Sequence, residues 1–449
     1  MTKPVQPTVI LGLDEPYVRD ILTAAFHARP EIWTAHQLSP TGTDSPADAL
    51  KGLDPSSDTA GPLIHWLEYE AIDWDRVYQS SAEAPWPLYV NAYCIRKGLI
   101  RKAQMAYNVH KYIAKHPHSV LTRAVPSTYI LELDHLDYLD EAMDDIYEVN
   151  QALAANACLV PPQTKHTRFI MKPSLTGRGA GIHIFDSRSQ LEAILATYFD
   201  DTEDESDMEA EPMQNLAGPG SLALQACRGS QIREWVIQTY IDAPLLLKDR
   251  RKFHIRAYVL AVGAIEVFLW EDMLCLFAAK PYSNDDLHDD RVHLTNTCLQ
   301  VNDTDFDEAR AVCSFWDLAN DSAPCSIRDE QRALTRADLK GLFSQIKAVL
   351  GDLFDAVTSE VTTFQTRDNC FELFGFDFMV DNQLGVHLLE ANAFPDFKQT
   401  GKQLRGIVEG LFGATVDIMA HRAGAAQPID QPSPTKLHSV YRRELLRNC

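Results

Sequence analysis

Long apolar runs are missing from this chain of 449 residues: nothing approaches the roughly 20 consecutive apolar residues of a membrane span. The stretch "MTKPVQPTVILGLDEPY" holds an apolar run of only five residues before Asp14, so no signal peptide is expected. Paired cysteines are missing too. Nine cysteines, an odd number, are scattered without a C-x-x-C pair, which argues against a disulfide framework and a structural zinc site. The expected compartment is therefore the cytoplasm. An excess of basic residues is also lacking. The net charge of −22 disfavours general affinity for nucleic acid or an anionic membrane, so neither is an expected partner. No internal repeat and no Ser or Cys nucleophile constellation is recognisable.

What is present is a globular composition, 45% hydrophobic and 23% charged, in a chain too long for one ordinary core. Two or three lobes are expected. Part of the acidity is local: in "DDTEDESDMEAEP" (200–212) eight of the first twelve residues are acidic, the composition of a solvated, mobile insert.

"TVILGLD" (8–14) has a strand pattern and "PYVRDILTAAFHAR" (16–29) a helical one with Pro16 in its first turn, which makes residues 1–90 an α/β N-terminal domain. Residues 38–62, rich in Ser, Pro, Gly and Asp, are expected to be a surface loop. "NAYCIRKGLIRKAQMAYNVHKYIAKHP" (91–117) predicts a basic amphipathic helix or helix pair, and "LDEAMDDIYEVNQALAAN" (139–156) another helix; residues 91–165 form a helical linker region with a β-rich run at 119–133. Strand-like runs then follow with few helices between them ("RFIMKP", "GIHIFD", "EWVIQTYI", "KFHIRAYVLAV", "AIEVFLW"), which predicts antiparallel sheets. Helical spacing returns at 335–360 and 401–422, and residues 424–449 are expected to be a linker and a short closing helix, "LHSVYRRELLRN".

Within "FELFGFDFMVDNQLGVHLLEANAFPDF" (371–397) two apolar strands carry Asp377, Glu390 and Asn392. Glu390 and Asn392 share a strand face, and folding back through 381–385 sets Asp377 roughly opposite Glu390. A carboxylate on an apolar strand is costly unless paired or bound to a cation. Three converging oxygen ligands suit a hard divalent cation such as Mg²⁺, with substrate phosphates completing its shell.

Three further stretches fit an anionic ligand. In "RFIMKPSLTGRGAGIHIFD" (168–186), Lys172 ends a strand and a loop with Gly177, Arg178, Gly179 and Gly181 follows. Alone it is a plain hairpin connection; with Lys172 at its entrance it suits a flap over a nucleotide. "VIQTYI" (236–241) would line an adenine-sized slot, and Lys252, His254 and Arg256 alternate along one strand so that all project from one face. Two flanking cations should keep the His254 ring neutral near pH 7. "HLTNTC" (293–298) offers His293, Thr295 and Asn296 as phosphate or carboxylate partners, though by itself it is as well a polar surface loop.

Taken in order, K-P-x₃-G-R-G-x-G-I, Q-x-Y-I-x-x-P-L-L-L, R-K-F-x-I-R-x-Y-V-L, H-L-T-N and F-E-L-F-G-F-D-F-M…L-L-E-x-N-x-x-P resemble the tubulin–tyrosine ligase-like proteins of the ATP-grasp superfamily, most strongly over residues 90–420, with an N-terminal part similar to fungal members. The resemblance implies an α+β ATP-grasp fold: a central lobe (166–245, with the acidic insert) and a C-terminal lobe (246–423), both antiparallel sheets with flanking helices, sandwich ATP. It implies that Lys172 and Arg178, with Lys102 or Lys97, meet the phosphates, and that Gln238, Tyr240 and Ile241 hold the adenine. His293, Thr295 and Asn296 would position phosphate and substrate, and Asp377, Glu390 and Asn392 would bind Mg²⁺. Lys252, His254, Arg256 and Asn392 would be the catalytic set. The implied activity is an ATP-dependent carbon–nitrogen ligase: a carboxylate of an acceptor protein, a tubulin tail or another, becomes an acyl-phosphate and is attacked by the amine of a free amino acid. A monomer is expected.

Three positions depart from the family pattern: Thr239 replaces a lysine, His254 an aspartate, and Leu276 an arginine of tubulin–tyrosine ligase itself. They bear on substrate recognition, and they motivate the alternative of a nucleotide-binding pseudoenzyme or scaffold subunit.

Overall fold

The computed structural model describes residues 6–38, 61–80, 87–159, 165–176, 179–199, 232–284, 286–296, 308–321, 323–401, 404–424 and 436–443. The acidic insert 200–212, most of the loop 38–62, and Gly177 and Arg178 lie outside these.

The chain opens with a parallel sheet of β1 (Thr8–Gly12), β2 (Thr34–Gln37), β3 (Leu63–Leu67) and β4 (Leu88–Val90), in the order β2-β1-β3-β4. The helix Pro16–His27 starts where the Glu15 side chain accepts the Tyr17 N–H and Pro16 takes the first turn. Parallel strands are covered on both faces, and β3, "LIHWL", is buried throughout. This unit has no core of its own. Val9, Leu11, Ile21 and Phe26 share one cluster with Tyr258, Leu260, Phe371 and Phe412 of the largest sheet and of the helix Arg405–Arg422.

The central lobe is an antiparallel sheet of β5 (Thr128–Glu132), β6 (Phe169–Pro173), β7 (His183–Phe185) and β8 (Glu234–Thr239), in the order β5-β8-β6-β7. β5 comes from the stretch expected to be a linker. The expected helix at 139–156 is broken at Ile146 into Leu139–Asp145 and Tyr147–Ala157, and its Met143, Val149 and Leu153 pack with Phe169, Phe185 and Trp235. The lobe therefore takes in residues 128–157. Its core is separate from the other two.

The largest sheet contains β9 (Arg251–Val262), β10 (Glu266–Trp270), β11 (Leu274–Pro281) and β12 (Val312–Ser314); a small hairpin, β13 (Cys325–Ile327) with β14 (Glu330–Arg332), stands apart from it. β15 (Phe371–Val380), β16 (Val386–Ala393) and β17 (Leu437–Arg442) complete it, β15 pairing with both β9 and β16. β17 corrects the expected closing helix: Leu437 to Arg442 runs antiparallel to β10. Six residues are too few for periodicity to separate helix from strand, and Val440 and Tyr441 favour the strand once β10 offers an edge.

The long helix Arg336–Thr358, begun by a Thr335–Asp338 capping box, covers one face of this sheet, where Ile255, Ala257 and Val259 meet Phe354. The other face of β9 is covered by the N-terminal unit and the helix Arg405–Arg422 at Tyr258 and Leu260. At its beginning that same face carries Lys252, His254 and Arg256 toward the central lobe. Among the described residues no helix is long and apolar enough to cross a membrane.

Candidate active site

Between the central lobe and the largest sheet lies a cavity with about 800 Å³ of space, its open mouth included. The central-lobe wall is formed by Ile170, Lys172, Ile182, Gln238, Thr239, Tyr240 and Ile241. Gly179 and Gly181 have φ of 80° and 71°, and a Cβ on Gly181 would sit 2.8 Å from Pro173 and from the Tyr198 hydroxyl. Only glycine lets the loop return so close to the strand that carries Lys172.

Lys172 is buried and donates to Gln238 Oε1 at 2.8 Å, while the Gln238 amide donates to Thr128 at 2.9 Å. Burial, joined by the Lys102 charge, pulls Lys172 down to about 8 despite Glu390 and Asp377. Lys252 comes from the facing sheet and reaches the Tyr240 hydroxyl at 3.1 Å. Burial and then the charge of Lys172 bring Lys252 down to about 7. The Tyr240 hydroxyl also meets His293 Nδ1 at 2.9 Å, and His293 Nε2 lies 2.9 Å from the Asp286 carbonyl. A carbonyl only accepts, so Nε2 carries the proton and Nδ1 accepts from Tyr240. His293 is held neutral first by burial. Lys252, Tyr240 and His293 thus form one directed chain across the two lobes.

The opposite wall carries the acids. Asp377 and Glu390 are register partners in the β15–β16 ladder, beside a shift that leaves Leu389 as an extra residue. Such a bulge re-aims side chains. Gly375 leaves room for the chain that leaves β16, since a Cβ there would stand 2.5 Å from Pro395. Asp377 is buried and takes a two-pronged contact from Arg256, Nε to Oδ1 at 2.5 Å and a second nitrogen to Oδ2 at 3.0 Å. Burial would lower the guanidinium, but Asp377 more than offsets it and raises Arg256. Glu390 accepts the Asn392 amide at 3.2 Å and lies 3.6 Å from Lys102, whose ammonium also donates to the Thr176 carbonyl at 2.6 Å. Burial alone would raise Glu390; Lys102 and Lys172 pull it down to about 2.

His254 Nδ1 shares a hydrogen bond with Thr295 Oγ1 at 2.6 Å, and its Nε2 is buried without a partner, 3.8 Å from Asp377 Oδ1. Its ring is neutral, as expected, but chiefly because it is buried; Asp377 opposes that and Arg256 only assists. Leu276 is its register neighbour, fully buried, so an apolar side chain backs the ring.

Lys102 lines the cavity and Lys97 does not; Thr295 and Asn296 line it as well, whereas Arg256 stands behind Asp377 and Asn392 beside Glu390. Arg178 is outside the described residues. Sequence reasoning missed Ile170, Ile182, Met379 and Leu389, which give the slot its apolar surface. Met379 had a signal, being two residues from Asp377 on the same strand. Leu389 had none, because the bulge is not encoded in the alternation.

The donor set fits Mg²⁺. Among the described residues no group of three or more His, Cys, Asp or Glu side chains could hold a metal. Two carboxylates and one amide oxygen instead make the open, all-oxygen set that Mg²⁺ uses together with phosphates. Each Asp377 oxygen can serve Arg256 and still ligate, and Asn392 donates through nitrogen, leaving its oxygen for a cation.

Comparison with known proteins agrees with this architecture. Residues 89–430 match the Tubulin-tyrosine ligase family. A probable tubulin–tyrosine ligase of Schizosaccharomyces pombe is 40% identical over 360 residues, covering 79% of this chain and 81% of the relative. The probable tubulin–tyrosine ligase PBY1 of Saccharomyces cerevisiae is 36% identical over 370 residues, 79% of this chain but only 45% of that longer protein. The solved C-terminal domain of K. lactis Pby1, described as an ATP-grasp enzyme interacting with the mRNA decapping enzyme Dcp2, superposes with a TM-score of 0.63 at 25% identity, covering 98% of this chain and all of that one. The fold is the α+β ATP-grasp fold, and the chain belongs to the tubulin–tyrosine ligase family.

Proposed function

We propose that the protein is an ATP- and Mg²⁺-dependent ligase that joins an amino acid to a carboxylate of an acceptor protein, a tubulin tail or another, through an acyl-phosphate. One observation carries this reading: in a chain of net charge −22, Lys102, Lys172 and Lys252 converge on one cavity around the register pair Asp377 and Glu390. Bound ATP would supply the phosphoryl group that activates the carboxylate, and Mg²⁺ would neutralise charge on its phosphates. The chain's own residues position and neutralise. Gln238, Tyr240 and Ile241 bind the base against Ile170 and Met379. Lys172 and Lys102 counter the phosphates, while Asp377, Glu390 and Asn392 hold the metal. Arg256 keeps the Asp377 carboxylate in one orientation, and Lys252, relayed to His293 through Tyr240, faces the anionic reacting centre. Phosphoryl transfer needs positioning more than a side-chain nucleophile, in keeping with the absence of one from the sequence.

The second reading is a nucleotide-binding subunit of a protein complex. The neutral His254 backed by Leu276 favours it, as does the protein partner named for the K. lactis relative. Release of ADP, measured over a panel of acceptor proteins and free amino acids, separates the two. Release that requires both an acceptor and an amino acid, with label entering the acceptor, supports the ligase; tight nucleotide binding without turnover across the panel supports the subunit.

A further inference from the structure

β11 and β12 set two thiols side by side. Cys275 and Cys313 are directly opposed in the antiparallel ladder. Opposed residues there have Cα atoms about 4.5 or 5.5 Å apart, both within the range a disulfide bridges. Paired residues of an antiparallel ladder project to the same face, so the two side chains are neighbours. Cys275 is buried, whereas Cys313 is half-buried. The charges of Lys248 and Arg251 act on Cys313, and Asp317 is the opposing carboxylate. Lys248 has φ of 44°, followed by Asp249 at 67° and Arg250 at 60°, a left-handed run of three non-glycine residues that is costly. All three line a second, open groove with about 1590 Å³ of space, its open mouth included.

The two sulfurs are unequal. The neighbouring Cys275 thiol and the charge of Lys248 outweigh burial and bring Cys313 down to about 7; burial holds Cys275 well above the ordinary thiol value. Cys313 is therefore the more readily deprotonated of the two. Neither belongs to the nucleotide cavity, so their chemistry is independent of the ligase reading.

We propose that Cys275 and Cys313 are an oxidant-responsive dithiol that takes a hydroperoxide as its co-substrate and closes to a cross-strand disulfide. The Cys313 thiolate attacks one peroxide oxygen, the O–O bond breaks, and hydroxide or alkoxide leaves and takes up a proton. Cys313 is then a sulfenic acid. Cys275 attacks that sulfur, giving up its proton, and the sulfenic hydroxyl departs as water while the S–S bond forms. Two electrons pass in all from the thiols to the peroxide.

The test uses the full-length reduced protein titrated with hydrogen peroxide, alkylated, and mapped as peptides without reduction. The expected product is a Cys275–Cys313 peptide pair, lighter by two hydrogens, appearing before the exposed Cys158 is oxidised. In Cys275→Ser, Cys313 should accumulate as a dimedone-reactive sulfenic acid. In Cys313→Ser, Cys275 should remain alkylatable after denaturation. The wild-type map decides even if a variant folds poorly. Oxidation of Cys158 with Cys275 and Cys313 still free, or pairing of Cys313 with another cysteine, overturns the proposal.

Discussion

The central-lobe wall sets Ile170 and Gln238 on a four-stranded sheet whose core, around Trp235 and Phe185, is its own, with Ile241 just after β8. The facing wall sets Lys252, His254, Asp377 and Glu390 on a larger sheet with one core on each face. On the proposed function, the contrast reflects what each chemistry demands. A flat apolar base is held by shape and a few hydrogen bonds, which a thin lobe provides. Opposed charges must keep fixed separations, because Coulomb energy in a buried site changes steeply with distance, and that calls for a frame packed on both sides. Lys172 and Lys102 are where the two walls meet electrostatically, since both pull on Glu390 across the gap.

If this division holds, damage to the charged wall should cost most. Arg256→Met strands the buried Asp377, and removing one partner of a buried ion pair costs about 3–5 kcal/mol. Urea denaturation should show that loss, and turnover should vanish with it; a variant as stable as the parent would mean that the pair is not a strut. Glu390→Gln is expected to slow turnover by about a hundredfold, or ~2.7 kcal/mol, through weaker metal binding. Its unfolding midpoint should move far less, because glutamine keeps the bond to Asn392. Normal turnover with an unchanged Mg²⁺ dependence would remove Glu390 from the metal site.

The lysines bridging the walls give a pH test. Lys252 and Lys172, near 7 and 8, bind polyphosphate best when protonated, so nucleotide affinity should fall as pH rises from about 7 to about 9. The free protein should show the opposite sign. Folded pKa values below the ordinary 10.5 leave the unfolded chain holding more protons, so stability rises from about pH 7 toward 10.5. Calorimetry and urea titration at several pH values read both, and an affinity flat across the window would place the phosphates elsewhere. The smallest expected effect is Thr295→Val, which frees His254 from its 2.6 Å bond at a cost of about 1 kcal/mol. The ring should remain neutral, since burial dominates, and NMR titration of His254 checks that.

The charged wall is more legible in the sequence than the other. Period-two alternation and the short turn at 381–385 bring Asp377 to within one residue of Glu390, because hairpin register is local, and the bulge at Leu389 completes the pairing. The Arg256–Asp377 fork is not readable, since it depends on how β9 and β15 slide over more than a hundred intervening residues. Pairing of β5 with β8 is equally long-range, which is why the β-rich run around "TYILE" is readable but its place in the central sheet is not. For β17, the local pattern suits helix and strand alike and the free edge of β10 decides. The neutrality of His254 follows in the sequence from its cationic neighbours, but burial, which no sequence window displays, is its main cause.

The division of labour between the walls is tested most directly by a crystal structure with a non-hydrolysable ATP analogue and Mn²⁺ in place of Mg²⁺, phased to locate the metal by its anomalous signal. The account predicts one or two peaks within bonding distance of Asp377, Glu390 and Asn392, with the base lying between Ile170 and Met379 and bonded near Gln238 to Ile241. A metal peak away from those three side chains, or a base seated against Lys252 and His254 instead, would contradict it.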